Sequence, residues 1–222
     1  MAEFLAANGF VVVSLPSIAI NEGERCGFDL ACLKLQQADM EFAIQTLQSY
    51  PSVDANKIGL LAWSFSGLAV AHLQMKNPNV RAVVSMDAAT GYQYGKEILD
   101  QSKEIDFNKT KVPFLHLHGL DNARVPKNFD FFKSFQSAEK YFVTFKSLQH
   151  SDFLPLYGDV IRLAKNDEDK NAIEGTRWVN LLTLKFLNAY LKNNPKALRF
   201  LKSATNNKDE STSNIFSFAS SF

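Results

Sequence analysis

The chain has 222 residues, of which 46% are hydrophobic and 21% charged, with 24 Lys+Arg against 23 Asp+Glu. This balance is typical of an ordinary globular protein with one sizeable core. A net charge of +1 without a long block of either sign argues against nucleic acid or an anionic membrane surface as a partner. The longest nearly apolar stretch, residues 10–20, is too short to span a bilayer. We therefore expect a small-molecule partner, and the oligomeric state stays open.

The predicted helices and strands alternate along the chain. Asn8-Gly9 ends a short helix, and the apolar run that follows predicts a buried strand. After a polar, glycine-containing stretch, helical and strand-like patterns take turns. This alternation is typical of an α/β fold with a mostly parallel sheet and helices on both faces. Helices are predicted at residues 2–8, 38–50, 68–75, 95–104, 127–138 and 178–192, and strands at 10–14, 58–62, 82–86, 114–118 and 141–146.

Two polar segments lie in the C-terminal part of the chain. Residues 166–171 are mostly charged or amide residues and predict a solvated loop. From residue 203 onward the chain is rich in Ser, Asn and Thr, which predicts disorder despite several large apolar residues there. We therefore predict one domain over residues 1–202 and a disordered polar tail over 203–222.

The cysteines and the N-terminus bear on the compartment. Cys26 and Cys32 lie six residues apart in a loop-like stretch, where they could form a disulfide, but two free thiols are the expected state. The N-terminus has no basic region and carries an acidic residue at position 3, which is not the pattern of a secretory signal. The chain as it stands is expected to be cytoplasmic, or secreted or periplasmic if an upstream segment is missing.

Ser64 stands where the predicted strand at 58–62 gives way to the next helix. A serine in so tight a turn needs small residues two positions before and after it, because those side chains face each other across the bend. Ala62 and Ser66 meet that need, although the usual signature is Gly-x-Ser-x-Gly. In this geometry the Phe65 N–H points to where an oxyanion would form. The alternative interpretation is that Ser64 and Ser66 cap the helix.

A serine hydroxyl becomes a nucleophile only when a base takes its proton and a third group orients that base. His150 follows the last predicted strand, in a loop that could reach the edge carrying Ser64. Two carboxylates are candidates for the third group. Asp87 ends the strand directly after the helix that follows Ser64, and Asp121 follows the next strand. Either choice gives the chain order serine, acid, histidine that is expected on this fold.

Four segments of the sequence carry a family resemblance. They are AEFLAANGFVVV at residues 2–13, VDANKIG at 53–59, VPFLH at 112–116 and FLNAYLK at 186–192. In their order and spacing the chain resembles the α/β-hydrolase superfamily, and specifically its dienelactone-hydrolase-like and platelet-activating-factor-acetylhydrolase-like members. The resemblance runs from Glu3 to about Leu201 and implies a serine hydrolase without a cofactor.

The resemblance also bears on the choice of acid. In most members of the superfamily the acid stands in Gly-x-x-Asp-x-x-Val-Pro after the strand after next, and here Asn122 holds that place, with Asp121 one residue early. In the acetylhydrolase-like branch the acid ends the strand directly after the nucleophile helix, where Asp87 falls. The resemblance therefore favours Ser64, His150 and Asp87 as the triad, with Asp121 as the alternative acid.

The resemblance further implies that the fold is shortened at its N-terminal end. Relatives carry about three further strands before the first helix, and a loop after the third supplies a second oxyanion N–H. That third strand would lie between the strands predicted at residues 10–14 and 58–62. Either an upstream part is missing, or these two strands pair directly and the second oxyanion donor is lost.

A metal site is the rival interpretation of a different pair of residues. His116 and His118 lie two apart on a predicted strand and so face the same way, and Asp121 could join them as a ligand. The spacing has one residue too many for the familiar His-x-His-x-Asp, so we expect packed histidines and no metal.

The sequence thus predicts hydrolysis of a small-molecule carboxylic ester through a serine-bound acyl intermediate. The alternatives are a hydrolase-fold protein that binds a ligand or partner without turnover, and an amidase or peptidase that uses the same triad.

Overall fold

A five-stranded sheet organises the part of the chain that the structure describes. The structure is a computed structural model that describes residues 1–16, 26–120, 125–134, 139–154, 167–206 and 215–218. The strands lie side by side in chain order; the first four are parallel and the last is antiparallel to its neighbour. The α/β class with a mostly parallel sheet is confirmed. The strands are β1 (Ile58–Trp63), β2 (Val80–Met86), β3 (Phe114–His118), β4 (Lys140–Phe145) and β5 (Phe216–Phe218).

Helices cover both faces of the sheet, as predicted. One apolar core contains side chains of α1, α6 and α7, and the other contains side chains of α2, α3, α4 and α5. Because helices cover the sheet on both faces, its central strands β2 and β3 are buried almost throughout. The helices are α1 (Ala2–Ala7), α2 (Leu30–Leu47), α3 (Ser66–Lys76), α4 (Gln93–Asp100), α5 (Asp130–Lys133), α6 (Asp167–Leu191) and α7 (Pro195–Asn206), with 3₁₀ turns at Ala89–Gly91, Phe107–Lys109 and His150–Phe153.

Two helices begin more than two turns before their predicted starts at residues 38 and 178. Helix α2 begins at Leu30, in the stretch predicted to be a loop, because the side chain of Asp29 caps it by accepting from the Cys32 N–H at 2.8 Å. Helix α6 begins at Asp167, so the predicted loop at 166–171 is wrong for its described residues. Acidic residues in a first turn interact favourably with the helix dipole, and this chemistry suits the start of a helix as well as a loop.

The buried strand predicted at residues 10–14 is absent. Residues 10–16 have no regular secondary structure, and the valines at 11, 12 and 13 are exposed. A strand needs a neighbouring backbone to pair with, and β1 pairs only with β2 within the described residues. The direct pairing of residues 10–14 with β1, one of the two predicted alternatives, therefore does not form.

The two cysteines form a disulfide, so the prediction of free thiols is wrong. Cys26 and Cys32 are bonded, with their Cα atoms 5.5 Å apart, a separation that suits a disulfide. The physical reason is the cap of α2. The Asp29 side chain accepts from the Cys32 N–H and so places Cys32 in the first turn of α2, close to Cys26.

The predicted tail is partly ordered. Helix α7 continues to Asn206, so the predicted domain boundary at residue 202 cuts through it, and β5 pairs with β4. In β5, Phe216 is buried against Phe145 and Trp178. The division into one domain over 1–202 and a disordered tail stays a prediction. Of the helices that the structure describes, none has the length and apolar character needed to traverse a bilayer.

Candidate active site

The structure brings Ser64, His150 and Asp87 together at the carboxyl edge of the parallel strands. Ser64 directly follows β1, Asp87 directly follows β2, and His150 opens the turn after β4. The Ser64 Oγ lies 2.9 Å from His150 Nε2, and His150 Nδ1 lies 2.6 Å from Asp87 Oδ2. The alternative acid, Asp121, lies outside the described residues. The three favoured side chains thus form one hydrogen-bonded chain, and their catalytic roles stay a prediction.

The turn at Ser64 has the strained backbone of a sharp strand-to-helix bend. Ser64 has a φ of +57°, which ordinary side chains adopt rarely. Its carbonyl accepts from the N–H groups of Gly67 at 3.2 Å and Ala89 at 2.9 Å, and its own N–H donates to Met86 O at 3.2 Å. These bonds hold the conformation against its cost of about 1–3 kcal/mol.

The alternative role of Ser64 and Ser66 as helix caps is wrong. Helix α3 has Phe65 at its N-cap position, and no side chain caps it by a hydrogen bond. Ser64 Oγ is therefore free of the helix and points to His150. Phe65 contributes its N–H to the first turn of α3, where unpaired amides and the helix dipole favour negative charge.

Asp87 is a buried carboxylate surrounded by hydrogen-bond donors. It is 1% exposed, and its Oδ1 accepts from Tyr92 Oη and from the Gly119 N–H, both at 3.0 Å. His118 Nδ1 lies 3.0 Å from the same oxygen. Burial by itself would raise the pKa of Asp87, but His118, His150 and the Gly119 N–H together hold that pKa far below its usual value. The carboxylate is therefore ionised even though it is buried.

The ionised Asp87 determines which proton His150 carries. A carboxylate can only accept hydrogen bonds, so His150 Nδ1 must be the donor in the 2.6 Å contact. In the neutral imidazole the other nitrogen, Nε2, then carries a lone pair. That lone pair faces the Ser64 hydroxyl, which is the arrangement a base needs to remove the hydroxyl proton.

Sequence reasoning missed the residues that hold this chain in place. The Trp63 ring stacks on the His150 ring at 4.7 Å between centroids, and its Nε1 donates to His150 O at 2.9 Å. Tyr92 and His118 were not assigned to the site either. The signal in the sequence for one of these residues is the glycine directly after β3. A Cβ at position 119 would lie 2.7 Å from Leu148 O, so only glycine fits where the N–H donates to the Asp87 carboxylate.

The structure places His116 and His118 on one face of β3, as predicted, but among aromatic rings. Both are buried, their rings stack at 5.6 Å, and the rings of Phe132 and Phe142 lie against His116. Within the residues that the structure describes, no group of three or more possible ligands could hold a metal ion. His118 contacts Asp87, and His116 Nδ1 lies 2.7 Å from Ser85 Oγ.

These features together define an α/β-hydrolase-like protein: a mostly parallel sheet with helices on both faces, and a serine in a strained turn between a strand and a helix. Residues 39–129 match the family model described as BAAT / Acyl-CoA thioester hydrolase C terminal, a family within this fold. The match includes Ser64 and Asp87, ends before His150 and covers less than half of the chain. A comparison with curated proteins finds no match. The narrower resemblance to dienelactone-hydrolase-like and acetylhydrolase-like members stays a prediction.

The buried His116 makes stability depend on pH. Burial, with a further contribution from nearby His118, lowers the pKa of His116 well below its ordinary value of 6.5. Below pH 6.5 the unfolded chain binds a proton at this residue that the folded chain does not, so the free energy of unfolding falls as the pH falls. His116→Asn should remove about 1 kcal/mol from the loss of stability between pH 6.5 and 5.5, over which the unfolded imidazole goes from about half to about nine tenths protonated. Urea unfolding at pH 7.5, 6.5 and 5.5 measures it, and equal slopes in the two proteins would contradict the prediction.

Proposed function

We propose that this protein hydrolyses carboxylic esters, thioesters among them, through an acyl intermediate on Ser64. The observation that carries the proposal is the hydrogen-bonded chain from Ser64 Oγ through both ring nitrogens of His150 to the buried Asp87. An ionised, buried carboxylate costs desolvation free energy, which its hydrogen-bond donors must offset. A serine with a positive φ adds a second cost at the same place. Such strain and buried charge are typical of a reaction site.

The proposed reaction has two halves. In the first, Ser64 Oγ attacks the acyl carbon while its proton passes to His150 Nε2, and Asp87 stabilises the resulting imidazolium. The Phe65 N–H, at the start of α3, donates to the oxyanion. The tetrahedral intermediate then expels the alcohol or thiol, which takes up the proton from Nε2. In the second half a water molecule attacks the acyl group in the same way and releases the acid and the free serine.

The family match supports a thioester as the bond that is cleaved, because its description names an acyl-CoA thioester hydrolase. The geometry at Ser64 suits both bond types, since both leaving groups are expelled from the same tetrahedral intermediate. An amide is the less suitable substrate, because its carbonyl is less reactive than that of an ester or thioester, although the same proton from His150 Nε2 would serve the leaving amine. The alternative of binding without turnover would leave the Ser64 hydroxyl unreactive, and covalent labelling separates the two.

We predict that a fluorophosphonate labels the protein once and that Ser64→Ala abolishes the label. Ser64 Oγ displaces fluoride from phosphorus only if His150 activates it, so the adduct reports an activated serine. Intact-mass spectrometry measures the adduct, and Ser66→Ala is the matched control, which should be labelled like the wild type. An unlabelled, folded wild type would support binding without turnover.

The assignment of the acid is tested by Asp87→Asn and Asp121→Asn. Asparagine at position 87 no longer requires His150 to carry its proton on Nδ1, and loss of this tautomer costs about 10⁴-fold in kcat in other serine hydrolases. We therefore expect Asp87→Asn to lose at least about a thousandfold in kcat, while Asp121→Asn keeps its activity. The opposite pattern in steady-state kinetics would make Asp121 the acid.

The preferred bond is tested with a matched pair of substrates. The octanoyl thioester of N-acetylcysteamine and the octanoyl ester of N-acetylethanolamine differ only in the leaving atom. A thiol has a pKa near 8.5, so thiolate leaves more readily than alkoxide, and we expect kcat/KM for the thioester to be at least about tenfold higher. A faster oxygen ester would retain the hydrolase and exclude the thioester preference.

A further inference from the structure

We propose that Phe28, on the loop closed by the Cys26–Cys32 disulfide, forms the apolar wall that receives the acyl chain of the substrate. The inference rests on the proposed function, because it assigns the acyl side of the same site. Neither the resemblance nor the family match assigns a role to this loop, which lies before the matched residues 39–129.

Phe28 is a large apolar side chain that is mostly exposed and that contacts the residue after Ser64. Its side chain is 74% exposed, although a phenylalanine ring gains from leaving water. The ring packs edge-on against the buried ring of Phe65, with the centroids 5.4 Å apart and the planes at 70°. Phe65 directly follows Ser64 in the chain, so one edge of Phe28 lies against the residue that also carries the oxyanion N–H. The rest of the ring is left for a ligand to cover.

The fold places Phe28 at the same edge of the sheet as Ser64. Helix α2 packs beside α3, and α3 begins at Ser66, at the carboxyl edge of the strands. Helix α2 ends at Leu47, before the chain enters β1 at its amino end. It therefore runs from the carboxyl edge to the amino edge, as crossover helices do. Phe28, two residues before its start, lies at the carboxyl edge.

The loop is held so that the ring stays exposed. The disulfide closes the loop between Cys26 and Cys32, and the Asp29 side chain caps α2 within it. Both constraints act on the residues that flank Phe28. A loop that was free to move would let the ring turn toward the core, and a closed loop prevents this at a cost in exposed apolar surface. Binding of an acyl chain against the ring would recover that cost.

The acyl chain, and not the leaving group, is the expected occupant. The leaving atom must take its proton from His150 Nε2 and so lies next to His150. The aromatic neighbour of His150 is Trp63, which stacks on its ring. Phe28 contacts Phe65, on the other side of Ser64 in the chain. The contact of Phe28 with Phe65, the residue that carries the oxyanion N–H, is the observation that supports the acyl side.

The test compares acyl chain lengths in three proteins. The measured quantity is the ratio of kcat/KM for p-nitrophenyl octanoate to that for p-nitrophenyl acetate. Phe28→Ala should lower the ratio about tenfold, and Phe28→Leu, which keeps apolar bulk, should lower it less. Phe42→Ala is the matched control, because Phe42 is also exposed, at 72%, and lies on α2 away from its start. Its ratio should equal that of the wild type.

The outcomes separate the inference from the proposed function. An unchanged ratio in Phe28→Ala, or an equal loss with both esters, would overturn the acyl wall while the hydrolase stands. A loss that follows the length of the alcohol in a series of acetate esters would place Phe28 on the leaving-group side and overturn it as well. Absence of both turnover and fluorophosphonate labelling in the wild type would overturn the hydrolase and the inference together.

The contribution of the disulfide is measured in the same assay. In the double variant Cys26→Ser and Cys32→Ser the loop is free, so the octanoate-to-acetate ratio should fall toward that of Phe28→Ala. Combining the double variant with Phe28→Ala should lower it little further. A double variant with the wild-type ratio would show that the disulfide does not position the ring.

Discussion

The ionised carboxylate of Asp87, buried to 1% exposure, is the constraint on which the rest of the site depends. A buried charge is tolerated only when its oxygens are fully hydrogen-bonded. Here Tyr92 Oη and the Gly119 N–H donate to one oxygen, His118 Nδ1 lies beside it, and His150 donates to the other. These donors come from different elements of the sheet edge. Meeting the needs of one carboxylate therefore ties those elements together and orients the imidazole as well.

The strain in the site follows from the register of β1 and β2. Trp63 and Met86 are paired as the last residues of the two strands, so Ser64 and Asp87 leave the sheet side by side. Both have a positive φ, +57° and +40°, because each must turn out of a strand within one residue. Two neighbouring turns at the ends of rigid strands hold the serine and the acid at a defined separation, which a reaction site requires. The histidine comes from a more distant turn, where Trp63 stacks on its ring.

Polar and apolar parts of this edge are held by different means. The hydrogen bonds around Asp87 lie in the interior, where the low dielectric makes them strong. Phe28, in the loop closed by the Cys26–Cys32 disulfide, is mostly exposed. So exposed a ring makes few noncovalent contacts, and the disulfide restrains the loop covalently. Chemistry and chain-length preference would thus be carried by separate parts of the structure. A change in one should leave the other largely intact.

Local patterns in the sequence determined the elements from β1 to β4, the turn at Ser64 and the α/β class, because apolar periodicity and small residues act within a few positions of the chain. The same reasoning brought forward Ser64 and His150, with Asp87 and Asp121 as alternative acids, since parallel strands end at one edge, and the family resemblance favoured Asp87. Tertiary structure decided what depends on partners distant in sequence. Residues 10–14 have strand-like chemistry but no strand to pair with among the described residues, and Phe216 of the tail pairs in the sheet. Trp63 contacts His150, and His118 contacts Asp87, across long separations in the chain. A single sequence carries no record of these long-range contacts, because they arise only when the sheet assembles.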